Sequence, residues 1–97
     1  MRPADKRKLR GIALKNLEFV YPDGLTLGFL RALLVRWFEP HFLDLLQLRK
    51  VLSYLIDSQY VELESSEWTE KTVIKITPKG LALIKGEIKD LEVSIDG

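Results

Sequence analysis

Between Asp44 and Ile76 the spacing of apolar residues changes period, and the change predicts a helix that runs into a β-hairpin. Leu45, Leu48, Leu52 and Leu55 recur at helical spacing, with Val51 and Ile56 at the margins of the same stripe. Leu46, Arg49, Lys50, Ser53 and Asp57 fall on the opposite face. Asp44 stands where an N-cap is expected, since its carboxylate can accept amide hydrogens left free in the first turn. Gln47 makes this an Asp-x-x-Gln form of the capping box, and Leu43 and Leu48 occupy hydrophobic-staple positions. Gln59 follows the helix where glycine is usual. The period then drops to two. Val61 and Leu63 alternate with Glu62 and Glu64, and Ile74 and Ile76 flank Lys75. Opposed Glu and Lys on the outer face favour antiparallel pairing across the polar loop at 65–70.

The remaining elements follow from the same signals. Asp5 is expected to cap a first helix through about Val20, with Leu9, Ile12, Ala13, Leu17 and Val20 as its buried stripe, although Gly11 weakens it. Residues 1–4 then form an arm. Tyr21-Pro22-Asp23-Gly24 reads as a turn. Thr26 caps a second helix, with Leu25 and Leu30 as its staple; this helix is apolar on most sides and is expected to be deeply packed. Pro40 stops it, and residues 39–43 connect to the central helix. Thr77-Pro78 starts a fourth helix, which Gly86 ends. In the tail, Leu91, Val93 and Ile95 alternate with Glu92 and Ser94 as in a strand. No strand of the same chain clearly awaits them, so they are expected to pack across a partner subunit in a homodimer. The expected organisation is an α+β, mainly helical domain at 5–86, with a three-helix core, a two-stranded hairpin and a fourth helix, followed by an extended C-terminal tail at 87–97.

Composition narrows the class. The 97 residues allow one domain with a real core. The chain has no cysteine, which excludes a disulfide framework and fits a cytoplasmic setting. The most apolar run, at 27–38, is interrupted by Arg31 and Arg36 and is too short to span a bilayer, so no membrane role is expected. Net charge is +1, but its distribution is uneven. Residues 1–15 carry six basic groups against one acid, while residues 57–97 carry nine acids and five lysines.

The order helix, helix, helix, hairpin, helix resembles the winged helix-turn-helix superfamily. The resemblance is carried by LRKVLSYLIDSQYVEL and by VIKITPKGLALI, which are similar to the central helix, the entry to the wing and the exit from it in winged-helix regulators. Gln59 departs from the glycine usual before Tyr60-Val61, and so asks a non-glycine residue to take a left-handed conformation or changes the turn. The size and the Gly-x-Ile tail also look like small winged-helix proteins encoded by Mu-like prophages. The resemblance implies a DNA-binding regulator with the central helix in the major groove, or else a winged-helix module that binds protein without DNA.

On the first reading, Gln47, Arg49, Lys50 and Ser53 meet base edges, Arg49 suiting guanine and Gln47 adenine. Arg7, Lys8 and Arg10 then supply phosphate contacts. The bland alternative makes all of these solvated helix-surface groups. The hairpin loop argues against DNA, because it offers Glu67 and Glu70 where a wing that touches phosphate offers Arg or Lys. Leu46 on the outward face and Trp68 in the loop are candidate partner contacts, Trp68 being equally able to fold back on the hairpin. His41 is the one histidine, so a transition-metal site is not expected. No serine lies in a nucleophile motif, and no acid/base constellation stands out. Neither an enzyme nor a cofactor is therefore expected.

Overall fold

The computed structural model describes residues 1–95; Asp96 and Gly97, the end of the expected tail, lie outside the described residues. Their order is α1 (Pro3–Val20), β1 (Leu25–Thr26), α2 (Leu27–Leu34), a 3₁₀ turn (Pro40–Phe42), α3 (Leu45–Asp57), β2 (Val61–Leu63), β3 (Val73–Ile76) and α4 (Pro78–Ile84). The fold is α+β and mostly helical, four helices around a small antiparallel sheet.

Helix α1 begins at Pro3, before the expected Asp5, because Pro supplies a preset φ at the first helical position and needs no amide partner there. Asp5 is therefore not the cap; its carboxylate lies 3.4 Å from the Arg2 amide instead. The other three caps form as the sequence predicts. The Thr26, Asp44 and Thr77 side chains accept from the amides of Phe29, Gln47 and Gly80 at 2.9–3.1 Å. Of the two outcomes open to Gln59, a left-handed backbone or a changed turn, it takes the first, with φ 64°.

The sheet has three strands, in the order β1-β3-β2, where the sequence predicted two. Val61, Glu62 and Leu63 stand opposite Ile76, Lys75 and Ile74, and Leu25 and Thr26 opposite Ile74 and Val73. Lys75 on this outer face also pairs with Glu64 at 2.6 Å. Strand β1 leads directly into α2, and the hairpin loop completes the helix start. The Leu27 amide donates to the Thr72 carbonyl at 2.9 Å and the Gly28 amide to the Glu70 carbonyl at 3.0 Å. With the Thr26 cap, the Leu27, Gly28 and Phe29 amides at the start of α2 each have a partner.

The core gathers Leu9, Ala13, Leu14 and Leu17 of α1, Leu27, Leu30 and Leu34 of α2, and Leu48, Val51, Leu52 and Leu55 of α3, over Val61, Ile74 and Ile76 of the sheet. Helix α2 buries only this one stripe. Phe29 on its other side is exposed, which corrects the expectation of deep packing all round.

The tail is a second correction. It folds back on its own chain and forms no strand among the described residues. Val93 is only 5% exposed, within the core, so it is not free to meet a partner subunit. Ile95 is half-buried against the same core, and Leu91 alone of the three stands fully out. The physical reason is a set of polar ties. The Ser94 amide donates to the Arg7 carbonyl at 3.1 Å, and the Arg10 guanidinium to the Glu92 carbonyl at 2.9 Å. Gly11 lets the strap lie against α1: a Cβ there would meet the Ser94 carbonyl oxygen at 1.7 Å.

Candidate nucleic-acid interface

Helix α3 is held on one side and open on the other. Leu48, Leu52 and Leu55 are fully buried, while Leu46, Arg49, Lys50 and Asp57 are exposed. The Asp44 cap fixes where the helix starts, and hence which way this face points. Arg49 and Lys50 put two cations on its N-terminal half, with Leu46, 62% exposed, beside them. Ser53 is half-buried, and its hydroxyl donates to the Lys50 carbonyl at 3.0 Å, which leaves the oxygen able to accept from outside. Gln47 is half-buried at the margin of the face.

The hairpin loop borders this face. The Trp68 indole N–H donates to the Leu45 carbonyl at 2.7 Å, and the Arg49 guanidinium lies 6.0 Å from the centre of the indole ring. Trp68 is thus folded back and half-buried, not a projecting anchor: a buried indole N–H needs an acceptor, and the first turn of α3 supplies one. The loop is also tied internally. The Thr72 hydroxyl donates to the Glu67 carbonyl at 2.8 Å and accepts from the Thr69 amide at 3.1 Å. Its acidity is partly balanced, because Glu70 pairs with Arg31 at 3.0 Å.

The basic residues of α1 do not join α3 as a set. Arg10 is buried, and its Nε donates to the Val51 carbonyl at 3.1 Å. Its guanidinium also lies 4.9 Å from the centre of the Tyr54 ring. Its place among the phosphate contacts is therefore corrected: the side chain is buried, and its Nε and one Nη join α1 to α3 and to the tail. Lys8 is exposed but lines the groove between α1 and α2. Arg7 is half-buried, its carbonyl engaged by the tail.

One polar cluster escaped the sequence. The Asp90 carboxylate accepts from the Tyr54 hydroxyl at 2.7 Å and from the Tyr60 hydroxyl at 2.7 Å. Burial pushes the Asp90 carboxyl up, but bonds from both phenols and from the Glu92 amide, with Arg10 nearby, more than offset it and hold the group below its ordinary value. Burial and the bond to Asp90 push the Tyr60 phenol up to about 12. The bond to Asp90 and burial likewise raise Tyr54. A signal was present, since buried tyrosines need a partner for the hydroxyl, but nothing in the spacing points thirty residues ahead. Among the described residues, no group of three or more His, Cys, Asp or Glu side chains is placed to hold a metal ion, and no helix is long and apolar enough to cross a membrane.

Compared with models of protein families, with curated proteins and with solved structures, the chain finds no match.

Proposed function

We propose that this chain is a small winged-helix DNA-binding protein, a transcriptional or phage-related regulator, in which α3 is the recognition helix for duplex DNA. The order α1-β1-α2-α3-β2-β3-α4, with β1 paired to β3, supports the winged-helix reading. In that reading α2 and α3 are the helix-turn-helix, and β2 and β3 are the wing. The observation that carries the DNA role is the unpacked face of α3, where Arg49 and Lys50 stand exposed on the N-terminal half. An arginine there can reach guanine in the major groove, and a lysine can meet phosphate. The wing contributes little to phosphate binding, because its loop is folded onto α3 and Glu67 stays exposed.

The second reading is a winged-helix protein-interaction module without DNA binding. The acidic loop beside α3 and the exposed Leu46 favour it. Amide chemical-shift mapping with a short mixed-sequence duplex separates the two. The DNA reading expects shifts at Arg49, Lys50 and Ser53. A spectrum unchanged at low salt contradicts it and leaves the interaction reading.

A further inference from the structure

The large exposed apolar residues of this chain are not all scattered singly. Phe19 is 91% exposed, Trp37 57% and Phe29 56%. Phe19 of α1 stands between two adjoining grooves that run along α1 and α2, of about 400 and 420 Å³. One is bounded by Trp37 and the other by Phe29, while the half-buried Ile12, Leu25 and Leu33 give them an aliphatic lining. Aromatic surface gathered in this way marks a binding face more often than an isolated exposed leucine does.

The charge around the grooves is one-sided. Lys8, Lys15 and Arg36 line the first groove, and all three are exposed. The carboxylates of the neighbouring segments, Glu18, Asp23 and Glu39, line neither groove. Lys8 and Phe19 are eleven residues apart on α1, roughly 16 Å at the helical rise, which matches three turns of a second helix.

We propose that the groove between α1 and α2 docks an acidic amphipathic helix of a partner protein. Its apolar face would cover Phe19, Trp37 and the aliphatic lining, and its carboxylates would meet Lys8, Lys15 and Arg36. Charge complementarity of this kind selects the partner and speeds encounter. The same charge disfavours a symmetric contact with a second copy, which would set these cations against their own counterparts. A single-strand nucleic-acid platform would use the same cations with its bases stacked on the rings, and it is an outcome that the test separates. The inference is independent of the DNA reading, since none of these residues lies on α3.

The test is selection of a random library of helix-length peptides on the full chain, followed by anisotropy titration of a resynthesised enriched peptide. The variants are Phe19→Ala with Trp37→Ala, and Lys15→Glu with Arg36→Glu. All four side chains are exposed, and circular dichroism with a thermal midpoint checks that each variant stays folded. The proposal expects enriched peptides that carry apolar residues at helical spacing and a negative net charge, with affinity lowered at least about tenfold in either double variant. Three results overturn it. One is enrichment of neutral or basic peptides, or none that depends on the groove. Another is tighter groove-dependent binding of a mixed-sequence single-stranded oligonucleotide than of the peptide. The last is a dimer in sedimentation that Phe19→Asp dissociates, which would give the groove to a second copy.

Discussion

The Tyr60 hydroxyl donates a hydrogen bond to the Asp90 carboxylate at 2.7 Å, across thirty residues of chain. Tyr54 donates to the same carboxylate, so Asp90 fastens the segment after α4 both to α3 and to the start of β2. Removing the Tyr60 hydroxyl by Tyr60→Phe keeps the ring and loses a bond to a charged acceptor, which is worth ~1.5–3 kcal/mol. Urea denaturation at neutral pH checks this. An unchanged midpoint would mean that the Tyr60 bond adds nothing to the ties made by Tyr54, Arg10, Ser94 and Val93.

The same cluster sets two pH limits. The Tyr60 phenol titrates near 10 when unfolded and at about 12 when folded, so its contribution is present below pH ~10 and is lost as pH rises through about 12. Asp90 is depressed in the fold, so its contribution is present above its unfolded value near ~4 and is lost as pH falls through the lowered folded value. Stability measured against pH is expected to fall at both ends, and Tyr60→Phe is expected to flatten the alkaline fall. An alkaline limb identical in parent and variant would contradict the assignment.

Gly11→Ala is expected to destabilise the protein, although alanine is the better helix former by ~1 kcal/mol. The new methyl group would sit 1.7 Å from the Ser94 carbonyl oxygen, so either the strap or α1 must move. A loss of ~1–3 kcal/mol, typical of overpacking, is expected in denaturation, with faster amide exchange at Val93 and Ser94. A gain in stability would show that the strap does not lie on α1.

Leu52→Ala tests the buried face of α3. The side chain is fully buried among the core leucines, so truncation should cost ~2–5 kcal/mol through lost burial and the cavity left behind. A loss below ~0.5 kcal/mol would mean that the face is misassigned, and with it the outward face that carries Arg49 and Lys50.

The caps and the amphipathic stripe of α3 were legible because both are local signals: Thr26, Asp44 and Thr77 act on amides three residues ahead. Strand β1 was not, since two residues are too few to show alternation and Thr26 also reads as a cap. Arg10 looked like a surface cation because a sequence cannot reveal that the Val51 and Glu92 carbonyls converge on it. Val93 carried a true apolar pattern, but the pattern does not say whose core receives it. The aromatic groove was hidden for the converse reason. Phe29 and Trp37 belong to an apolar run, and only the packing shows which side of that run stays outside.

The DNA-binding claim for α3 is tested most directly by titrating a random-sequence duplex pool at two salt concentrations, with Arg49→Ala and Lys8→Ala beside the parent. The parent is expected to bind at low salt and to weaken with salt by a log–log slope of about −0.9 per phosphate neutralised. Arg49→Ala is expected to cost ~1–3 kcal/mol and to relax sequence preference. Lys8 lines the α1–α2 groove, so Lys8→Ala is expected to stay within ~0.5 kcal/mol of the parent. No binding by the parent at low salt, or an Arg49→Ala variant that binds as the parent does, would contradict the assignment of α3 as a recognition helix.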